Sequence, residues 1–284
     1  ALLWRASVLL KLRRTNEARI AFERALKAAP HSPRAHFNRG VFNLILGDFR
    51  KGWEGYAHRE KVRDARPIPM PTPRWKGEPL DGRTLLIHRE QGLGDTLMFS
   101  RLIPALGRLD GRVLFQPHNS LAHFFRDFEG GDEVLEGLND EQLASVPHDF
   151  HVPLLDLAII MQLERDSVPA RVPYIRADPA RVEKWSAHLS AKPGLRVGIA
   201  WQGNPRFFSD HQRSLRLELF EELSRVADVR LIALQKGPGR EQLAEIADRF
   251  DVEDLAAQLD NDGDAFADTA AVMQHLDVLI ASDS

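Results

Sequence analysis

TLLIHREQGLGDTLMFSRLIP, residues 84 to 104, decides how the centre of this chain folds. Its first five residues are an apolar run of β-forming type, and apolar residues recur at helical spacing after residue 95. Gly92, Gly94 and Asp95 lie between, so the segment predicts a strand, a tight elbow and a helix. The same alternation extends outward. RVLFQ (112 to 116) and DFHVPL (149 to 154) read as strands, and 96 to 108, 119 to 127 and 139 to 145 as helices. It restarts after a polar, proline-containing passage at 164 to 180. There LRVGIAWQ (195 to 202), VRLIALQ (229 to 235) and LDVLIAS (276 to 282) read as buried strands, with helices near 216 to 227, 239 to 249 and 266 to 275. Strands alternating with helices predict βαβ units and parallel sheets. Two such units in succession predict a cleft between two sheets, lined by loops at the carboxyl ends of the strands.

Before residue 62 the pattern is different. A shift of 34 residues aligns Ala6 with Gly40, Leu12 with Leu46, Ala18 with Gly52, Ala21 with Gly55 and Phe22 with Tyr56. That period and residue pattern resemble tetratricopeptide repeats, in which small residues let two helices approach and an aromatic fills the space between stacked pairs. Thr15, with Glu17 and Ala18, is expected to open one second helix, and Gly47-Asp48 to break and cap the other; Pro30 and Pro33 separate the repeats. About three repeats are usually needed to stand alone, so these two are expected to continue upstream or pack on the next domain. The chain opens at Ala1 without an initiating Met and reads as part of a longer one. The expected fold is α/β with an N-terminal all-α segment: repeats over 1–61, a proline-rich linker over 62–82 whose Trp75 docks on a neighbour, one Rossmann-like half over 83–178 and a second over 179–284.

Composition narrows the function classes. No apolar run approaches the roughly 20 residues that span a bilayer. The absence of cysteine removes disulfides, thiolate metal sites and a cysteine nucleophile, and a cytoplasmic location is expected. The net charge of −3 conceals +9 over residues 1–66 and −12 over the rest. This suggests a basic N-terminal face that attracts an acidic partner, with a solvated helical surface as the plainer alternative. No basic motif interleaved with aromatics accompanies it, so nucleic acid is not the expected partner.

The chemistry-bearing residues sit at predicted strand ends. As a dinucleotide fingerprint QGLGDTL fails, because Leu97 holds the third glycine position and Asp95 would stand beside a pyrophosphate. Asp95 reads either as the cap of the following helix or as a general base accepting a hydroxyl proton, with Gln91, Gly92 and Gly94 forming an acceptor-side loop. VGIAWQGNP followed by SDHQRS places Gln202, Asn204, Arg213 and Ser214 after a buried strand. Arg213 can pair with two oxygens of a departing diphosphate, or can simply pair with Asp210. LQKGPG offers Gln235 and Lys236 at the next strand end, and Asp283 with Ser284 follows the last. DNDGDAF (260 to 266) is no calcium loop, since Ala265 and Ala271 stand at the sixth and twelfth positions; a solvated acidic loop is expected. His148 and His151 would face opposite sides of a strand. No P-loop or G-x-S-x-G elbow is present.

In order, HREQGLGDTLMFSRLIP, VGIAWQGNP, DHQRS, LQKGPG, FADTAA and IASDS resemble the bacterial proteins that join tetratricopeptide repeats to a heptosyltransferase-like domain of glycosyltransferase family nine. The resemblance covers residues 83 to 284. It implies a GT-B architecture, a nucleotide-sugar donor as substrate, no cofactor and no metal. By the same resemblance Asp95 is the general base of an inverting transfer, Arg213 and Ser214 stabilise the leaving diphosphate, and Gln202, Asn204, Gln235, Lys236, Asp283 and Ser284 hold the donor. The repeats would recruit a protein or glycan acceptor. LQKGPG lacks the acidic ribose contact of the heptosyltransferases, so the donor need not be an ADP-heptose. The His-x-Ala helix expected after Asp283 does not follow, so the second half is expected to be incomplete. The competing expectations are a non-catalytic repeat scaffold with a degenerate transferase fold, and a protein O-glycosyltransferase.

Overall fold

In the computed structural model, which describes residues 1–62, 67–107, 109–207 and 209–282, small residues shape the N-terminal helices. Helix α1 (Leu2–Lys11) pairs with α2 (Thr15–Ala28), and α3 (Pro33–Ile45) with α4 (Phe49–Tyr56). Ala6 and Ala18 are fully buried between the first pair. In the second pair a methyl group on Gly40 would lie 2.6 Å from the Tyr56 backbone nitrogen, so only glycine permits this approach. Phe22 packs on Phe42 across the two hairpins with ring centroids 5.1 Å apart. Ser32 caps α3 with Pro33 in its first turn, and Asp48 caps α4 after Gly47, whose φ is +80°. Thr15 does not cap. Helix α2 begins at Thr15 itself with Arg14 before it, and Arg14 ties to Glu17 through two side-chain hydrogen bonds.

The chain divides between Tyr174 and Ile175. The first unit holds the repeats, the linker and a parallel sheet of order β3-β2-β1-β4, formed by β1 (Thr84–His88), β2 (Arg112–Gln116), β3 (Glu133–Val134) and β4 (Phe150–Pro153). Around it lie α5 (Leu93–Ser100), α6 (Leu102–Ala105), α7 (Asp140–Ser145) and α8 (Asp156–Ile160). In the second unit α9 (Pro179–Ser190) precedes β5 (Leu195–Ala200), α10 (Glu221–Ser224), β6 (Val229–Ala233), α11 (Gln242–Ile246), β7 (Glu253–Asp254), α12 (Ala267–Met273) and β8 (Val278–Ala281). Its sheet repeats the first topology, β7-β6-β5-β8, again all parallel. Leu85, Leu86 and Ile87 are wholly buried, as a parallel strand covered on both faces requires. Burial of Trp185, Trp201 and Ile199 gives the second unit its own core.

Two local expectations change. The helix expected over 119 to 127 is a 3₁₀ turn at Asn119–Phe124, and β3 and β7, two residues each, were too short to show a period. The linker docks through Trp75 as expected: Trp75 is 3% exposed and its backbone N–H donates to the His151 carbonyl at 2.8 Å, which adds a bridge at the edge of β4. Finally, the 260 to 266 segment is no simple solvated loop. Asp260 accepts from the backbone N–H groups of Asp268 and Thr269 and from the Thr269 hydroxyl, ordering the start of α12. No helix of the described residues is long and apolar enough to cross a membrane.

Candidate functional site

Strand β1 delivers the chain into the elbow with His88 buried, and Gln91 then adopts φ of +63°, a region that costs energy for a residue with a side chain. Neighbouring groups hold it there. The Gln91 amide donates to the Tyr56 hydroxyl at 2.9 Å, and the His118 ring donates from Nε2 to the Gln91 carbonyl at 3.1 Å. Helix α5 starts at Leu93 with Gly92 as its cap, so Asp95 sits inside the first turn and not at the cap position. Its Oδ2 accepts from the Gly92 N–H at 2.9 Å. Its Oδ1 takes no hydrogen bond among the described residues. Glycine at 94 leaves open space, with nothing within 4 Å of where a Cβ would stand.

Beneath this elbow runs an ionic network that the sequence reading did not anticipate. Arg59, in the turn that follows α4, is 1% exposed and donates twice to Glu90 at 2.6 Å and once to Asp156 at 2.8 Å. Arg74 of the linker joins Asp156 at 2.6 Å to Glu60 at 2.9 Å. Burial alone would lower the Arg59 pKa, but Glu90 and Asp156 more than offset it and the pKa is raised. Burial pushes the Glu60 carboxyl up, and Arg74 overrides it to hold Glu60 below the usual range. A visible signal existed: Asp156 is a single carboxylate inside the apolar run VPLLDLAII, and a buried charge needs a partner. Which arginine answers it is set by packing.

The network forms one wall of a pocket of about 200 Å³ at the carboxyl ends of β1 and β4. Arg59 and Glu60 come from the end of the repeats, Pro67 and Ile68 from the linker, Glu90 and Gln91 from the elbow, and His118 and Asp140 from the β2 side. Arg89 in the wall is paired through both Nη groups, donating to Gln116 and Asp140 at 2.6 Å each. Burial, followed by Arg89, lowers the His118 pKa, although Asp95 pulls it the other way, which places the Asp95 carboxylate within electrostatic reach. Asp95 itself stands beside the pocket and not among the lining residues. His151 pairs with His88 of β1 at 3.2 Å.

In the second unit the predicted donor residues divide by what already engages them. Gln235 is 5% exposed; its oxygen accepts from the Trp201 and Gln202 N–H groups, and its nitrogen donates to the Gln202 and Pro238 carbonyls. It pins the loops after β5 and β6 together. Lys236 donates to the carbonyls of Leu259 and Asp260. The Ser214 hydroxyl accepts from the Gly203 N–H at 3.1 Å, and Asn204 accepts from the Arg206 N–H within its own turn. Gln202 is half-buried and accepts from Gln242 at 3.3 Å. Arg213 pairs with Asp210 at 3.3 Å through Nε only and lies 4.6 Å over the Phe207 ring, so its two Nη groups take no hydrogen bond among the described residues. Asp283 and Ser284 lie outside the described residues. Among the described residues no group of three or more His, Asp or Glu side chains is placed to hold a metal ion.

Comparison with known proteins gives three findings. The tetratricopeptide-repeat family matches residues 1–42. Protein FlbA of Caulobacter vibrioides is 29% identical over 293 residues, covering 93% of this chain and 48% of that protein, so the chain spans about half the length of this curated relative. A glycosyl transferase family 9 structure from Veillonella parvula superposes with a TM-score of 0.50 at 11% identity, over 74% of this chain and 78% of that one. The chain therefore joins a tetratricopeptide-repeat segment to paired parallel sheets whose fold resembles that of the family 9 glycosyltransferases.

Proposed function

We propose that the protein transfers a sugar from a nucleotide-sugar to an acceptor hydroxyl, with inversion. Asp95 acts as general base. The observation that carries this reading is the half-engaged Asp95 carboxylate: the Gly92 N–H fixes Oδ2, and Oδ1 is left to take a proton from a hydroxyl. Anchoring one oxygen orients the other, which is what proximity catalysis requires of a base. In the second unit Arg213 would receive the donor diphosphate, because its Nη groups are a forked donor pair held over Phe207. As charge grows on the leaving diphosphate this contact strengthens, so it would act on turnover and not only on affinity. The repeats would bring the acceptor.

A scaffold without catalysis is the competing reading, favoured by the internal engagement of Gln235 and Lys236. A panel of nucleotide-sugars tested first for thermal shift and then for transfer decides between them. The proposal expects one donor to raise the melting temperature, Arg213→Ala to abolish that rise, and Asp95→Asn to keep it while losing transfer. No thermal response to any donor, or unchanged turnover in Asp95→Asn, overturns it.

A further inference from the structure

The pocket at the end of β1 has a chemical bias that the proposed reaction does not require. Its volume, about 200 Å³, is below the roughly 300–1,000 Å³ of sites for drug-sized ligands and cofactors, so it holds one small group and not a nucleotide. Both arginines in its wall are already paired within the protein: Arg59 with Glu90 and Asp156, Arg89 with Gln116 and Asp140. Against these two cations stand the carboxylates of Glu60, Glu90 and Asp140. Acceptor capacity is left over. Asp140 uses one oxygen on Arg89, and His118, donating from Nε2, retains a lone pair on Nδ1. The pH response of His118 adds support, since burial keeps the ring neutral and able to accept.

We infer that this pocket takes an uncharged, hydroxyl-bearing group, a sugar ring or a seryl or threonyl side chain, and discriminates against phosphorylated or carboxylated ones. Among the described residues an anion would meet only guanidinium groups already paired with carboxylates or an amide, and an excess of like charge. A hydroxyl can donate to Asp140 or His118 at no such cost. The end of the repeats is part of this selection, because Arg59 and Glu60 build the wall and Arg59 ties up Glu90. The inference rests on the reading above in naming the occupant as the acceptor, and the pocket's preference can be measured without any donor.

The test uses the full chain and two probe pairs that differ in charge. One is methyl glucoside with methyl glucuronide; the other is N-acetylserine methylamide with its phosphoserine analogue. Binding is followed by NMR at the Gln91 and Gly92 amides and the His118 ring. The uncharged member of at least one pair should bind about tenfold more tightly than its anionic partner at low salt, and the ratio should shrink as salt is added. Which pair responds tells a glycan source from a polypeptide one. Asp140→Asn, at an exposed rim position, removes a carboxylate that offsets Arg89 and should bring the ratio toward unity or reverse it. Equal or tighter binding of the anionic members to the unaltered protein, or no response from either pair, overturns the inference. Charge discrimination without transfer activity would leave the pocket assignment standing and remove Asp95 as a base.

Discussion

Replacing Arg59 with Met tests whether the ionic network fastens the repeats to the elbow. The guanidinium is 1% exposed and makes three short hydrogen bonds, so its removal strands Glu90 at 18% side-chain exposure and leaves Asp156 with Arg74 alone. Breaking a buried ion pair by deleting one partner costs about 3–5 kcal/mol. Partial hydration of Glu90 and the surviving Arg74 contact favour the lower end, about 3 kcal/mol. Two separate units make a single unfolding free energy ill-defined, so the readout should be local. Hydrogen exchange by mass spectrometry provides it. Peptides covering β1, α4 and α8 should exchange about 100-fold faster in Arg59→Met, while β5 and β6 serve as internal reference. Adding Glu90→Gln removes the stranded charge and should restore part of the protection. Exchange in β1 within a factor of three of the unaltered protein would show that packing, and not the network, holds the repeats against the sheet.

Further expectations concern single sites. Asp95→Ala should lower stability by about 1 kcal/mol through loss of the acceptor for the Gly92 N–H, whereas Asp95→Asn should change it by a few tenths, both read from thermal melts. Gly40→Ala places a methyl 2.6 Å from the Tyr56 backbone nitrogen and should cost about 1–3 kcal/mol, seen as loss of helical ellipticity at lower temperature. Gln235→Leu leaves the Trp201 and Gln202 N–H groups without their acceptor and should cost about 1–3 kcal/mol, with faster exchange at those amides. His88, whose pKa burial pushes down to about 3, stays neutral in the folded chain after the unfolded chain has taken up its proton. Its contribution is therefore complete above about pH 6.5 and falls by about 1.4 kcal/mol per pH unit below that, toward pH 3. Protection of β1 measured across that range should follow this slope, and His88→Leu should flatten it.

Local signals in the chain were enough for the repeats and most strands. The 34-residue period depends on alanine and glycine at positions where helices must touch, and that requirement is written residue by residue. Continuous apolar runs such as TLLIH and VRLIA marked strands buried on both faces for the same reason. The strands β3 and β7 escaped notice because two residues pair only where a neighbouring strand offers its edge.

The site divides along the same line. Glycines and an aspartate at a strand-to-helix elbow are a local pattern, so the position of Asp95 was legible, although its place within the first turn was not. The partners of that elbow come from Arg59, 31 residues before Glu90 and 97 before Asp156, and no period links residues at such separations. Likewise Gln235 and Lys236 looked free at a strand end until the loops after β5 and β7 folded over them and used their hydrogen bonds. By itself the sequence determined which segments are helix or strand and which polar residues stand at strand ends, because those follow from neighbours a few positions away. Only the tertiary structure decided which of those polar groups remain available to a ligand, because burial and pairing depend on chain segments that meet only after folding.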